Sequence, residues 1–182
     1  MRKLTASFFI SLDGVIDAPQ NWHFPYMDQQ MMQVVGATVA ASDTILLGRR
    51  TFEEWASYWP DQAADGGMAD FINETPKYVV SRTLESVGWR NSTVIRDDAL
   101  AAIEGLKNDA GREISVTGSG TLVRSLLVAE LVDELRLMVH PVVVGRGKHL
   151  FEDGQELRGL ALASCEQFAS GVLNLTYTAE AR

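Results

Sequence analysis

Hydrophobic and polar positions follow two periods along the chain, one typical of strands and one typical of helices. Short β-branched and apolar runs predict eight strands, and segments with helical spacing lie between most of them. The predicted strands are Lys3–Ser11, Thr44–Leu47, Lys77–Ser81, Thr93–Ile95, Glu113–Thr117, Glu134–Val144, Ala161–Ala169 and Val172–Ala179. Because strands alternate with helices, the pattern predicts an α/β fold with a mixed, mostly parallel central sheet flanked by helices.

The last two predicted strands are separated only by Ser170-Gly171. A two-residue connection of this type is typical of a β-hairpin, so we expect the C-terminal edge of the sheet to be antiparallel. No repeat, linker or low-complexity run divides the chain. We therefore expect residues 1–182 to form one domain.

Helix ends are indicated by capping residues. Asp28 precedes a segment with an apolar face, and Asp97-Asp98 and Gly111 flank another, as N-terminal and C-terminal caps do. A third helix is predicted after the sequence Gly118-Ser-Gly120. The apolar faces consist of Met31, Val34, Val35 and Thr38, then Leu100, Ile103 and Leu106, then Leu122, Leu126 and Leu127.

Composition narrows the possible partners. The 182 residues are 46% hydrophobic, with a formal net charge of −8 and a pI near 4.8. Such an acidic chain is poorly suited to non-specific binding of nucleic acid or of anionic membranes, and local basic clusters become more informative. The single cysteine, Cys165, cannot form an internal disulfide, which fits a cytoplasmic protein. Polar residues interrupt the first apolar run, so we expect neither a signal peptide nor a membrane span.

Metal chemistry is not predicted. The three histidines, His23, His140 and His149, form no pair at the spacing of helical metal ligands. One cysteine is too few for a cysteine-rich zinc site or for the paired cysteines of a nucleobase deaminase. We interpret the histidines as packing or surface residues.

Glycine marks a strand-to-helix corner at Ile114-Ser-Val-Thr-Gly-Ser-Gly-Thr-Leu-Val123. Gly118 and Gly120 match the start of a dinucleotide-binding fingerprint, but Val123 occupies the position of its third glycine. The corner is therefore either a tight structural turn or a site where backbone N–H groups hold an anion.

A second corner, Thr44-Ile-Leu-Leu-Gly-Arg-Arg-Thr-Phe-Glu-Glu54, also carries glycine between a strand and a helix. Thr51 and Glu54 predict a capping box, so the helix is expected to begin at Thr51. Arg49 and Arg50 then lie at the positive end of the helix dipole, which costs about 0.3–1 kcal/mol each unless an anion is bound. The alternative is that both arginines are simply solvated.

A third strand ends at Ser81-Arg82-Thr83. The three strand ends together supply glycine N–H groups, hydroxyls and guanidinium groups. Ligands of open α/β sheets bind beyond the carboxyl ends of the strands, and arginine matches phosphate geometry bidentately. Several separate anion sites predict a dinucleotide that carries a pyrophosphate and a ribose phosphate.

An aromatic segment, Asn21-Trp-His-Phe-Pro-Tyr-Met-Asp28, follows the turn at Asp13-Gly14. An aromatic loop that leads to an acid suits the reduction of a heteroaromatic ring, with Asp28 holding or relaying a proton. An N-cap is an equally good role for an aspartate at this position.

Five motifs together resemble the dihydrofolate reductase-like superfamily, and within it the group of the RibD C-terminal domain, the reductase half of a bifunctional riboflavin-biosynthesis enzyme. The likeness extends over essentially the whole chain. The motifs are Ser11-Leu-Asp-Gly-Val-Ile16, Trp22-His-Phe-Pro25, Leu47-Gly-Arg-Arg-Thr-Phe-Glu53, Thr75-Pro-Lys-Tyr-Val-Val-Ser-Arg-Thr-Leu84 and Thr117-Gly-Ser-Gly-Thr-Leu122.

This resemblance implies a three-layer fold, NADPH as cofactor, a small-molecule substrate and a homodimer that uses residues 140–144 and the late strands. The implied cofactor-binding residues are Phe9, Ile16, Gly48, Arg49, Arg50, Thr51, Ser81, Arg82, Thr83, Gly118, Ser119, Gly120, Thr121 and Leu122. The candidate catalytic residue is Asp28, which the resemblance places near the acid of true dihydrofolate reductases only after a one-residue insertion. The candidate substrate-binding residues are Trp22, Phe24, Asp28 and Phe52.

The leading hypothesis is an NADPH-dependent reductase that delivers hydride to a C=N or C=O bond of a pterin, pyrimidine or related ring. The alternative is a nucleotide- or flavin-binding module without turnover, which would not need Asp28. A non-enzymatic scaffold would leave Arg49, Arg50 and Arg82 without a role.

Overall fold

The computed structural model describes residues 1–62, 67–152, 154 and 159–179. Eight strands form one sheet in the order β4-β3-β2-β5-β1-β6-β8-β7. The strands are β1 (Leu4–Ser11), β2 (Ser42–Gly48), β3 (Lys77–Val80), β4 (Ser92–Ile95), β5 (Glu113–Val116), β6 (Glu134–His140), β7 (Leu160–Gln167) and β8 (Leu173–Ala179). The helices are α1 (Gln29–Ala41), α2 (Arg49–Ala56), α3 (Met68–Glu74), α4 (Ala99–Asn108) and α5 (Gly120–Val128).

The first six strands are parallel, whereas β8 runs antiparallel to both β6 and β7. All eight predicted strands are present, and the predicted mixed sheet with an antiparallel C-terminal hairpin is confirmed. The hairpin turns at Gly171, which has a φ of 85° that glycine adopts without strain. In the described part of the chain, no helix combines the length and apolarity needed to cross a membrane.

Helices cover both faces of the sheet. Apolar residues of α4 and α5 pack against one face, together with Ala6, Leu46 and Val116. The next residues along the strands point to the opposite face, where α1, α2 and α3 lie. The connections from β1 to β2 and from β2 to β3 cross this second face. The connections from β4 to β5 and from β5 to β6 cross the first face. The directions reverse between β5 and β1, and such switch points are where open α/β sheets bind ligands.

Several predicted boundaries were wrong. The helix α2 begins at Arg49, and its N-cap is Gly48 without a side-chain hydrogen bond, so the predicted capping box of Thr51 and Glu54 does not form. The strand β6 ends at His140 rather than Val144, since Pro141 has no N–H to continue a ladder.

The caps of α4 were only partly predicted. Asp98 accepts a hydrogen bond from the Ala101 N–H, as expected for an N-cap, but the helix ends at Asn108 with Asp109 as its C-cap. Gly111 lies beyond the helix and packs against Arg2 and Asp43. The sequence pattern did not predict α3, which has only seven residues and therefore shows too little of the helical period.

Candidate functional site

The three predicted corners lie on three neighbouring strands. Parallel strands share one carboxyl edge, and β3, β2 and β5 are consecutive in the sheet. The edge therefore places Ser81-Arg82-Thr83, then residues 48–51, then residues 118–122 side by side. This adjacency is decided by the strand order, because residues 82 and 118 are distant along the chain.

The two glycine corners are interlocked. The Gly48 N–H donates to the Gly118 carbonyl at 3.1 Å. A Cβ on Gly48 would lie 2.5 Å from Ser119 Oγ, and a Cβ on Gly118 would lie 2.5 Å from Thr51 Oγ1. Glycine is thus required at both positions for the loops to approach each other. The contact brings the N-termini of α2 and α5 together at the carboxyl edge.

Both helix N-termini carry partial positive charge. No side chain caps α2, and Ser119 caps α5 through a 3.4 Å hydrogen bond from the Leu122 N–H. Neither helix has an acidic residue in its first turn. Thr121 accepts a hydrogen bond from the Arg124 guanidinium, which also donates to the carbonyl groups of residues 149 and 150. Anions are favoured at such N-termini.

The arginines differ in their surroundings. Arg49 Nη1 donates to both carboxylate oxygens of Glu53 at 2.9 Å, so this charge is already paired within α2. Arg50 and Arg82 are exposed, and the residues that the structure describes give neither guanidinium a hydrogen bond or ion pair. The Ser81 hydroxyl is buried and accepts from the N–H groups of Thr83 and Leu84. Arg50 and Arg82 are therefore the cations of this edge that remain available to a ligand.

A gap opens between β5 and β1 at the same edge. Their ladder ends at the pair Ala6–Val116, whereas the ladder of β1 with β6 continues to Ser11 and His140. Phe9 consequently has a strand neighbour only on the β6 side. Ile16 lies above Gly120, with its Cδ1 2.9 Å from the position of a Cβ there. The Ile16 N–H already donates to the Lys148 carbonyl, so a ligand amide would have to bind the Ile16 carbonyl rather than its N–H.

The segment before α1 places aromatic rings over the end of β1. Trp22 is buried and donates from Nε1 to the Asp17 carbonyl at 3.1 Å, whereas Phe24 is 58% exposed. His23 stacks on Phe9 with ring centroids 4.7 Å apart. Phe9, Trp22, His23 and Tyr26 all meet the His140 ring at steep angles, with centroids 5.2–6.2 Å away.

The two histidines are buried and uncharged at neutral pH. Burial lowers the pKa of His23, and the nearby His140 acts in the same direction. Burial also lowers the pKa of His140, although the carbonyl groups of Met138 and Ile10 oppose that shift. The sequence did not predict that these two histidines lie together, because their contact depends on the pairing of β1 with β6.

Asp28 is the N-cap of α1, as one of its two predicted roles requires. One carboxylate oxygen accepts from the Met31 N–H at 2.8 Å, and the other accepts from the Ser170 N–H at 3.1 Å. Gln30 accepts a hydrogen bond from the neighbouring Ala169 N–H, so the start of α1 is hydrogen-bonded to the β7–β8 turn at two positions. These hydrogen bonds, chiefly that from Met31, lower the pKa of Asp28 and keep it ionised. Its predicted catalytic role stays a prediction.

Phe52 is part of the core. The side chain is 4% exposed and packs with Ile45, Leu47 and Trp89, with ring centroids of Phe52 and Trp89 5.8 Å apart. These contacts give its predicted role in substrate binding no support. The sequence also missed a second wall of the site, in which residues 13–16 pair with residues 144–150. Asp13 anchors that wall by accepting from the N–H groups of Val144 and Gly145.

Comparison with known proteins places this geometry in a family. The model of the RibD C-terminal domain matches residues 2–174. The Bacillus subtilis protein YyaP, itself uncharacterised, is 30% identical in an alignment that covers 97% of this chain and 94% of YyaP.

Solved structures share the fold. A putative riboflavin biosynthesis protein from Shewanella superposes with a TM-score of 0.79 at 19% identity, covering 98% of this chain and 99% of its own. Dihydrofolate reductase from Enterococcus faecalis, solved with NADP(H), superposes with a TM-score of 0.67 at 14% identity, covering 97% and 95% of the two chains. The predicted dihydrofolate reductase-like fold is confirmed.

Proposed function

The chain belongs to the RibD C-terminal domain family, and from that premise we propose that it is an NADPH-dependent reductase acting on a small pterin, pyrimidine or related ring. The observation that carries the proposal is the carboxyl edge of β3, β2 and β5. It combines two helix N-termini with the guanidinium groups of Arg50 and Arg82, with which no described residue pairs. An acidic chain that gathers uncompensated positive groups at a switch point suits a polyanionic ligand.

The residues present fit a phosphorylated dinucleotide. Residues 48–51 and 118–122 would hold the pyrophosphate and adenosine side, where glycines leave backbone N–H groups uncovered. Ser81, Arg82 and Thr83 would hold the ribose 2′-phosphate. Backbone groups of Phe9 and the carbonyl of Ile16 would hold the nicotinamide amide beside the gap between β5 and β1. When bound, NADPH supplies the hydride that reduces a C=N or C=O bond.

The chain itself would position the ring and exclude water. The aromatic segment stacks on Phe9 through His23, and residues 13–16, paired with residues 144–150, place Ile16 over Gly120. Excluding water strengthens every electrostatic contact inside the site. Asp28, at the start of α1, would hold a protonated ring nitrogen or relay a proton through water.

A second candidate, a nucleotide- or flavin-binding module without turnover, is favoured by one observation. Both oxygens of Asp28 accept backbone hydrogen bonds and the pKa of this group is lowered, which makes it a weak proton donor at neutral pH. The module would keep the anion-binding corners and use Asp28 only as a clamp.

We further propose that two copies pair through β7. This edge strand is exposed from Ala161 to Gln167 on both faces, and Leu162 leaves 55% of its surface in solvent. Exposed edge strands are templates for pairing with another chain. Its partner strand β8 places Leu173 beside it, also partly exposed.

The proposed cofactor is tested by binding and turnover together. NADPH is expected to raise the melting temperature, and ring oxidants are screened for loss of the reduced-nicotinamide absorbance. The double variant Arg50→Ala/Arg82→Ala is expected to weaken NADPH binding by about tenfold or more, because each arginine offers a charge-assisted bond to phosphate. Arg90→Ala, at the opposite edge of the sheet and ion-paired to Glu74, is the matched control. A wild-type protein that does not bind NADPH contradicts the proposal.

A further inference from the structure

Two buried ring nitrogens at the end of β1 have no hydrogen-bond partner within the described parts of the chain. His140 has no exposed surface and His23 is 6% exposed. Among the residues that the structure describes, nothing pairs with His23 Nδ1 or His140 Nε2. Buried polar atoms are almost always hydrogen-bonded, and an orphan costs about 1–3 kcal/mol, so each exception calls for an explanation.

The hydrogen bond of the other His140 nitrogen decides what Nε2 can do. Nδ1 lies 2.8 Å from the Met138 carbonyl, which can only accept, so Nδ1 carries the proton. In a neutral imidazole, Nε2 is then a bare acceptor. Burial lowers the pKa of His140 and favours this neutral form. The free position of His140 is therefore built to receive an N–H or O–H donor.

His23 supplies the complementary position. Its ring is held between Phe9 and Phe24, at centroid distances of 4.7 and 4.2 Å, and lies 6.2 Å from the His140 ring at 87°. With its proton on Nδ1, His23 offers a donor where His140 offers an acceptor. The surrounding rings of Phe9, Trp22 and Tyr26 provide apolar faces of the kind that flat ligands contact.

The same face of the sheet carries further unpaired hydroxyls. Ser7 and Thr117 follow the paired residues Ala6 and Val116 on neighbouring strands, so their side chains point to one face. Ser7 Oγ and Thr117 Oγ1 are also buried and have no partner in the described chain. Phe9 lies on this face as well, because it follows Ser7 by two positions. His140 does too, because it follows Met138, the partner of Phe9 on β6, by two positions. The orphan atoms thus extend from the gap between β5 and β1 to the two histidines.

We propose that His23 and His140 together recognise the lactam edge of the substrate ring, with His140 Nε2 accepting its N–H and His23 Nδ1 donating to its neighbouring C=O. This inference rests on the proposed reductase function and assigns the two residues that select the substrate ring by its –NH–C(=O)– unit. Entry of such a ring requires the side chains of Trp22, Phe24 and Tyr26 to move aside, because they pack against the two imidazoles.

The test uses two fluorescent rings that differ only in their lactam hydrogens, pteridine-2,4-dione and its 1,3-dimethyl derivative. Wild-type protein is expected to bind the parent ring about tenfold or more tightly than the dimethyl ring. His140→Phe and, separately, His23→Phe keep an aromatic ring. In each variant, the ratio of the affinities for the parent ring and the dimethyl ring is expected to fall to about twofold. Circular dichroism and NADPH affinity check that each variant is folded.

Each contrary result overturns the inference. Wild-type protein that binds neither ring, or both equally, has no lactam site, and water alone then satisfies the two nitrogens. A ratio that persists in both phenylalanine variants assigns the discrimination to the bulk of the methyl groups. These measurements need no turnover, so their failure is distinct from a failure to bind or oxidise NADPH.

Discussion

Asp28 illustrates how one carboxylate supports two interpretations at the scale of a residue. Its position before α1 was compatible with a cap and with a catalytic acid, and both of its oxygens accept backbone hydrogen bonds. Two N–H groups that bond to the ionised form lower the pKa of Asp28. The carboxylate therefore connects α1 to the β7–β8 turn, whatever it does in a reaction.

Substituting Asp28 separates the two roles. Asp28→Asn keeps an acceptor for the Met31 N–H, but its amide group meets the Ser170 N–H as a second donor, so the melting temperature is expected to fall by a few degrees. If Asp28 also takes part in reduction, turnover falls much further while NADPH affinity is unchanged. Gln30→Ala, which loses the adjacent contact to Ala169, is the matched control. Turnover that falls equally in both variants would exclude a proton-transfer role.

Lys77 is a buried cation that forms no ion pair with a carboxylate of the described residues. Its Nζ donates to the carbonyl groups of Ile72, Asn73 and Thr75 at 2.8–3.2 Å and lies 4.5 Å from the Trp89 ring centroid. Burial lowers the pKa of Lys77 to about 8. The ammonium group thus satisfies carbonyl groups at the C-terminal end of α3. Its contribution to the free energy of unfolding depends on pH.

The sign of that dependence follows from proton binding. Between about pH 8 and the ordinary lysine pKa of 10.5, the unfolded chain holds the Lys77 proton more than the folded chain does. The stability contribution of Lys77 is therefore expected to rise with pH through this window. Urea unfolding of wild type and Lys77→Met across the window measures it, and Lys148→Met, at an exposed position, is the control. A difference between wild type and Lys77→Met that does not change with pH would contradict the lowered pKa.

At the scale of elements, contact between two corners explains glycines that a motif would assign to a ligand. Gly48 and Gly118 lie against Ser119 and Thr51 of the opposite corner. The sequence fragment Gly-Ser-Gly suggested either a turn or an anion site, and the structure supplies the reason for a turn. The same contact places two helix N-termini together, so the packing role and the proposed binding role depend on one another.

Gly48→Ala is expected to destabilise the protein by about 1–3 kcal/mol, because the new Cβ would lie 2.5 Å from Ser119 Oγ and force the corners apart. The double variant Gly48→Ala/Ser119→Gly should recover part of this loss. Gly105→Ala, in α4 with nothing within 4 Å of its Cβ, is the control and should stabilise by about 1 kcal/mol. Denaturant unfolding gives all three values. A Gly48→Ala protein as stable as wild type would show that the corners are not closely packed.

At the scale of the whole molecule, the two ends of the sheet differ. The strand β4 contributes Ile95 to the core cluster that contains Ile103 of α4, whereas β7 exposes both faces from Ala161 onward. Asp28 and Gln30 accept hydrogen bonds from the β7–β8 turn, so these bonds link the exposed edge to the start of α1 at the candidate site. A second copy seated on β7 would therefore support the position of α1.

Leu162→Asp is expected to convert the proposed dimer to a monomer, because a carboxylate cannot be buried in an apolar contact without a partner. Leu100→Asp, on the partly exposed surface of α4, is the matched control and should leave the assembly unchanged. Sedimentation analysis at micromolar concentrations measures both. A wild-type monomer at these concentrations would refute the dimer.

Local sequence patterns were enough to predict the strands, the C-terminal hairpin and two of the helix N-caps, Asp28 and Asp98, because these depend on local periodicity and on hydrogen bonds between residues a few positions apart. They also marked the three corners. The fold was needed to show that the corners are neighbours, that Arg49 is paired whereas no described residue pairs with Arg50 or Arg82, and that Phe52 belongs to the core. It alone brought His23 to His140, since their contact follows from the pairing of β1 with β6. Strand order joins residues that lie far apart along the chain, and no local pattern encodes it.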